Sequence, residues 1–227
     1  MCEQNFSKQI NLKQTNPQLR VYVANLSKYN QGELCGNWLN LPTTNNQIKN
    51  FLKHQVKLNP HTEEYAIHDY ESDFNHDENE NLYDLNTLAV KLEQMSENEK
   101  ALAAAYCSAN GLKGTLNILN VCQQVNDISY VEIDANTWGT KEEKLGYTII
   151  DEIDTDLKTT LEQCRIGESL TAYDYFDFEK YGRDISIAEG YFATDSIFIF
   201  YPTDINHKLY TLQEIKEQLN GPRLDET

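Results

Sequence analysis

Acidic and amide side chains in residues 73–84, "DFNHDENENLYD", recur with the spacing of ligands in a calcium-binding loop. Such a loop requires glycine at its sixth position and a bidentate glutamate at its last, whereas Glu78 and the shorter Asp84 stand there. Glu80 also replaces a residue that usually packs. We therefore interpret the segment as a solvated acidic loop and keep a calcium-binding acidic interaction module as the alternative function. The oxygen-bearing residues at the ligand positions are Asp73, Asn75, Asp77, Asn79, Asn81 and Asp84.

Three histidines lie in the same part of the chain. His61, His68 and His76 follow one another at intervals of seven and eight residues, which fits no common transition-metal site. His68 lies on a predicted strand next to Asp69, so we interpret a histidine here as bound to a neighbouring carboxylate, and we assign no metal site.

Paired carboxylates can act as the acid and the base of a glycosidase. With 36 acidic residues in the chain, however, such pairs arise by chance. The sequence contains no Gly-rich phosphate loop, no G-x-S-x-G and no H-E-x-x-H motif. We therefore expect a protein that is not an enzyme, and we assign neither catalytic residues nor a cofactor.

The charge of the chain is strongly negative and unevenly distributed. The 227 residues carry a formal charge of −17, which argues against nucleic acid or an anionic membrane as a partner. Residues 61–100 hold twelve acidic and two basic side chains, and residues 127–195 hold seventeen and six. Both blocks also contain regularly spaced apolar residues. Because 40% of the chain is apolar, we expect these charges on folded surfaces rather than on a disordered tail.

The first residues, "MCEQNFSKQI", lack the apolar stretch of a secretory signal, and no apolar run approaches the roughly 18 residues of a membrane span. The five cysteines are scattered and contain no C-x-x-C pair, which is typical of reduced thiols. We expect a cytoplasmic protein.

The apolar spacing predicts an α+β fold made of three small units between two polar ends. The first unit is an α+β domain with a small antiparallel sheet and a helix (19–82). A central helical bundle (83–126) follows, and then a second α+β domain with an antiparallel sheet and helices (127–201). A flexible tail (1–18) precedes these three domains, and a carboxyl-terminal extension (202–227) follows them. Strands are expected at 20–26, 34–41, 63–71 and 128–133, and in "GYFAT" and "SIFIFY", which a turn at Asp195 joins. Helices are expected at 43–58, from Leu85 to Met95, after a Ser96–Glu99 capping box, around Leu119, at 172–187 and in "TLQEIKEQL".

A further helix is expected after Thr140. Thr140 and Glu143 have the spacing of a second capping box, and Leu145, Ile149 and Ile153 recur on one side of the helix that follows.

Rows of carboxylates on such elements can imitate the phosphates of DNA. Carboxylates four residues apart on a helix lie about 6 Å apart along the axis, because each residue rises about 1.5 Å. B-DNA carries one phosphate about every 3.4 Å on each strand. A protein groove that binds DNA would attract such a surface. The alternative is a protein that is acidic only for solubility.

Three stretches then carry a resemblance to a known family. "VYVANLSKYNQGELCGNWLNLP" (21–42), "EEYAIHDYE" (63–71) and "FDFEKYGRDISIAEGYFATDSIFIFY" (176–201) closely resemble ArdA-type antirestriction proteins and follow the order of that family. The resemblance spans residues 20–201. It implies an elongated, three-domain, acidic homodimer that mimics bent B-form DNA, occupies the DNA-binding groove of type I restriction–modification enzymes, and blocks restriction and often modification. Such proteins protect incoming mobile DNA in a bacterial cytoplasm.

The resemblance also implies two sets of site residues. We expect Arg183 to pair with a local carboxylate. For the self-contact, which the family places at the start of the third domain, the apolar candidates are Ile128, Tyr130, Val131, Trp138 and Tyr147, with an ordinary core as the alternative. The exposed carboxylates expected to replace DNA phosphates are Asp69, Glu71, Asp73, Asp77, Glu78, Glu80, Asp84, Glu142, Glu143, Asp151, Glu152, Asp154 and Asp156.

Overall fold

The computed structural model of the protein describes residues 18–60, 62–133, 138–190, 192–194, 197–199 and 209–219. Within them the chain forms two small antiparallel sheets and nine α-helices. The predicted α+β class is therefore confirmed. The division into three domains and the elongated shape stay predictions. The tail at 1–17 and the turn at Asp195 lie outside the described residues.

The first sheet has the order β2-β1-β3, and both pairings are antiparallel. Its strands are β1 (Leu19–Asn25), β2 (Gly36–Leu41) and β3 (Tyr65–Glu71). The short helix α1 (Leu26–Tyr29) follows β1, and α2 (Asn45–His54) follows β2. Alternation places Val21 and Val23 in the core. Helix α2 begins at a capping box and buries Ile48 and Phe51.

Three helices follow: α3 (Leu82–Glu93), α4 (Glu97–Ala109) and α5 (Thr115–Gln123). The predicted capping box at the start of α4 is confirmed, since Ser96 and Glu99 bond each other's backbone amides. The hydrogen bond from the Ser96 amide holds the pKa of the Glu99 carboxyl below its usual value.

Helix α3 belongs to two hydrophobic cores. Leu85 and Ala89 pack in the core of the first sheet, whereas Leu88 and Leu92 pack in a core with α4 and α5. Neither core is complete without α3.

The second sheet has the order β4-β6-β5 and is antiparallel. Its strands are β4 (Tyr130–Glu132), β5 (Phe192–Ala193) and β6 (Ile197–Ile199). The apolar strand β6 lies at the centre of this sheet, between β4 and β5. Ile197 and Ile199 are buried in the same core as α4 and α5.

The helices between β4 and β5 are α6 (Lys141–Thr148), α7 (Thr155–Gln163) and α8 (Phe178–Ala188), with a π-helical turn at Ile149–Ile153. Leu145 and Ile149 are buried as predicted. Ile153 is 43% exposed, so the expectation that all three share one side is wrong. The Asp154 amide bonds the Ile149 carbonyl at 2.7 Å, five residues back, and this wider turn rotates the following residues off the buried side.

Helices α6 and α8 approach each other through glycines. A Cβ built at Gly182 would overlap the Glu142 carbonyl oxygen and lie 2.8 Å from the Gly146 amide nitrogen. A Cβ at Gly146 would overlap the Phe178 carbonyl oxygen. The two backbones are therefore in direct contact at the crossing.

The helix predicted in "TLQEIKEQL" is confirmed as α9 (Leu212–Leu219). Its Ile215 and Leu219 are buried in the core of α4 and α5. The Asn120 side chain on α5 accepts a hydrogen bond from the Tyr210 amide at 2.7 Å and donates one to the Tyr210 carbonyl at 3.0 Å. The described part of the extension is thus packed against the central helices.

Two cysteines of this core are shielded from solvent. Burial raises the pKa of the Cys107 thiol and of the Cys122 thiol to about 12. Both thiols are therefore protonated at neutral pH. No helix in the described ranges is long and apolar enough to cross a membrane.

Candidate partner-binding surface

The first acidic block lies on β3, on the loop after it and on the first turn of α3. Five of its predicted carboxylate residues are exposed: Asp69, Glu71, Asp73, Asp77 and Glu78. Asp84 is half-buried. The loop is attached to the edge of β3, because the Ile67 amide donates to the Glu78 carbonyl at 2.8 Å. These exposed side chains consequently stand on a fixed backbone.

Glu80 departs from the expected exposure. Its side chain is only 8% exposed and lies 3.2 Å from the fully buried His76 ring. It also accepts hydrogen bonds from the Asp77 amide at 2.7 Å, the Thr115 amide at 2.9 Å and the Thr115 hydroxyl. Glu80 therefore joins the acidic loop to the start of α5, and the expectation that its carboxylate is exposed is wrong.

The same contacts account for His76. Its second ring nitrogen lies 3.1 Å from the Ser72 hydroxyl, and its ring meets Tyr70 edge to face at 5.1 Å. The interpretation of a histidine bound to a carboxylate is confirmed for His76. His68 is exposed and meets the Tyr29 ring edge to face at 4.5 Å, and His61 lies outside the described residues.

Several carboxylates of the first block already have a cation beside them. Glu71 pairs with Arg20, Asp77 with Lys113 at 3.0 Å, and Asp84 with Lys216 of α9 at 2.9 Å. Solvent-exposed pairs of this kind contribute little to stability, typically about 0–1 kcal/mol. They do lower the net negative charge that the block presents.

The calcium interpretation gains no support from this geometry. Nowhere in the described ranges do three or more histidine, cysteine, aspartate or glutamate side chains group closely enough to hold a metal ion. Asp84, at the position of the bidentate ligand, binds Lys216, and Glu80 faces α5.

The second acidic block lies on α6, the π-helical turn and the start of α7. Glu152 and Asp156 are exposed, whereas Glu142, Glu143 and Asp151 are half-buried. The Thr140 side chain accepts a hydrogen bond from the Glu143 amide. The reciprocal bond, from the Thr140 amide to the Glu143 side chain, is not part of this cap, so the predicted capping box is only half formed. Asp154 is also half-buried, and its carboxylate caps α7 by accepting a hydrogen bond from the Leu157 amide at 2.9 Å.

Asp151 has a local structural role. It accepts a hydrogen bond from the Tyr173 hydroxyl at 3.0 Å and pairs with Lys158 at 3.0 Å. Burial, followed by the bond to Asp151, raises the pKa of Tyr173 above its usual value. Tyr173 therefore remains a donor at neutral pH.

The negative surface of the second block is larger than the predicted set. Acidic residues on α7 and α8, in the loop between them and directly after α8 belong to the same block of seventeen but not to the predicted set. The exposed members are Glu162, Glu168, Asp174, Asp177, Glu179, Asp184 and Glu189. The Thr171 amide holds the pKa of Asp174 below its usual value.

Arg183 lies on α8 with its Nε 3.7 Å from Asp184, and both side chains are exposed. The expected pairing with a local carboxylate is present, on a helix rather than at a turn.

The candidates for self-contact divide into buried and exposed residues. Ile128 is buried in the central core, and the half-buried Tyr147 stacks on Phe178 with ring centroids 3.8 Å apart. Val131 packs against the core of α6. Tyr130 is 40% exposed and Trp138 is 93% exposed. Only these last two present large apolar surface to a partner.

Comparison with known proteins gives one family. The model of the antirestriction protein (ArdA) family matches residues 21–200, which is most of the chain. No curated protein matches it.

Proposed function

The chain belongs to the ArdA antirestriction family, and from that premise we propose that it inhibits type I restriction–modification enzymes by occupying their DNA-binding groove. The family implies an antirestriction inhibitor rather than an enzyme. Our proposal adds the mechanism: exposed carboxylates replace the phosphates of DNA.

The observation that carries the proposal is the placement of the acidic residues on folded backbone. Asp69, Glu71, Asp73, Asp77 and Glu78 are exposed along β3 and its bound loop. Glu152 is exposed on the π-helical turn and Asp156 is exposed on α7. A surface of fixed negative charges attracts a groove that binds phosphates, and such attraction is screened over about 8 Å at physiological salt. Inhibition should therefore compete with DNA and weaken as salt is raised.

Neutralising the exposed carboxylates of the first block is expected to weaken inhibition. The variant combines Asp69→Asn, Glu71→Gln, Asp73→Asn, Asp77→Asn and Glu78→Gln. Exposed charge pairs contribute about 0.2–1 kcal/mol each, so we expect a loss of at least about fivefold in inhibitory potency for the set and less than about fivefold for single changes. The measurement is ATP-dependent cleavage of unmodified DNA at increasing protein concentration.

A matched control exchanges Asp for Glu, and Glu for Asp, at the same five positions and so keeps the charge. We expect it to inhibit nearly as well as the unchanged protein. If cleavage proceeds normally with a molar excess of the unchanged protein, the proposal is wrong. Methylation of the same DNA, followed in parallel, determines whether modification is blocked as well.

We also propose a homodimer in which the exposed rings of Tyr130 and Trp138 contribute to the contact. Burying an aromatic side chain contributes about 1.5–3 kcal/mol, so Trp138→Ser should weaken self-association by at least about tenfold. Light scattering over a dilution series measures it, with Tyr175→Ser, another exposed ring, as the control. A monomeric mass for the unchanged protein at all concentrations would overturn this proposal.

A further inference from the structure

A cavity of about 520 Å³ opens between α1, β3 and the acidic loop. Its walls include Tyr29, His68, Tyr70, Asp77 and Glu78. Aromatic rings and carboxylates thus line one concave site within the first acidic block.

Hydrogen bonds and ring contacts fix the walls of the cavity in place. The Glu78 carbonyl is bonded to the Ile67 amide of β3, and the His76 ring is fixed between Glu80, Ser72 and Tyr70. Tyr29 meets His68 edge to face but keeps 52% of its surface exposed. A ligand would therefore meet an accessible ring in a site that needs little ordering.

The chemistry of this lining selects a cation. Positive groups bind over aromatic rings and beside carboxylates. Asp77 is already paired with the Lys113 ammonium at 3.0 Å, so Glu78 is the lining carboxylate through which we expect a further positive side chain to bind. The lining places tyrosine and histidine rings beside two carboxylates, and this combination favours the planar guanidinium, which stacks on a ring and bonds a carboxylate at the same time.

We propose that this cavity binds an arginine side chain on the DNA-binding surface of the restriction enzyme. The inference rests on the proposed function and adds one localised anchor to the distributed charge. Glu78 is the carboxylate that bonds the guanidinium, Tyr29 is the ring it stacks on, and the amide oxygens of Asn30 and Asn79 at the cavity wall are further acceptors.

The cavity can be tested without the enzyme. The probe is N-acetyl-arginine methylamide, titrated into the full chain while the ring signals of Tyr29 and His68 are followed by NMR. We expect saturable shifts that weaken about three- to tenfold in Tyr29→Leu and in Glu78→Gln. The corresponding citrulline compound, which has the same shape without the charge, should not produce them. Equal shifts with both compounds would overturn the inference.

Inhibition of cleavage then separates the two proposals. The control is Glu152→Gln, which makes the same charge change in the second block. Glu78→Gln and Tyr29→Leu should each lower inhibitory potency at least threefold more than this control does. If the unchanged protein inhibits but these variants only match Glu152→Gln, the cavity is not an anchor and the proposed function stands. If the cavity binds the arginine probe but the protein does not inhibit, the proposed function fails and the anchor with it.

Discussion

Replacing Gly182 with alanine is expected to destabilise the protein by about 1–3 kcal/mol. The added Cβ would overlap the Glu142 carbonyl oxygen and lie 2.8 Å from the Gly146 amide nitrogen, and both are backbone atoms that cannot rotate away. Overpacking of this kind costs about 1–3 kcal/mol or more. The sign is informative, because alanine otherwise stabilises a helix interior by about 1 kcal/mol relative to glycine.

Chemical denaturation with urea measures this change, with Gly167→Ala as the matched control. A Cβ at Gly167 meets no atom within 4 Å, so its free energy of unfolding should change by less than about 0.5 kcal/mol. Equal stability of Gly182→Ala and the unchanged protein would show that α6 and α8 do not touch at this position.

Replacing Glu80 with alanine is expected to cost about 3–5 kcal/mol of folding free energy. The change leaves the buried His76 ring and the amides of Thr115 and Asp77 without their shared acceptor. Glu80→Gln should cost less, about 1–3 kcal/mol, since the amide keeps the shape and one acceptor oxygen.

The control for Glu80 is its neighbour Glu78. Glu78 is exposed, so Glu78→Ala should change the free energy of unfolding by less than about 0.5 kcal/mol. Thermal unfolding followed by circular dichroism compares the three variants. Matching melting temperatures for Glu80→Ala and Glu78→Ala would mean that Glu80 is exposed after all.

Local patterns predicted the elements of this fold well. The alternation of Val21 and Val23, the spacing of Ile48 and Phe51, and the Ser96–Glu99 cap each depend on residues close in sequence, and each is present. The α+β class follows from these elements. The family resemblance over residues 20–201 agrees closely with the matched range of 21–200.

The residues that sequence reasoning misplaced depend on contacts between distant segments or on a local irregularity of a helix. Glu80 belongs to an acidic run, and its burial requires Thr115, 35 residues later. Ile153 leaves the buried side because the helix widens at a π turn, which no periodicity reveals. The contact of Gly146 with α8 was likewise not visible from spacing along α6. Charge counts therefore identified the acidic blocks but not which carboxylates face outward.

Helix α9 has a consequence for the order in which the chain can fold. Translation proceeds from the amino terminus, so α3, α4 and α5 emerge before Ile215 and Leu219, which fill their core. The Asn120 side chain on α5 accepts its hydrogen bond from the amide of Tyr210, which lies 90 residues later in the chain. Closing such a long loop is entropically costly and slow compared with local contacts. The central core thus reaches its final packing only after both acidic blocks have left the ribosome and α9 has followed them.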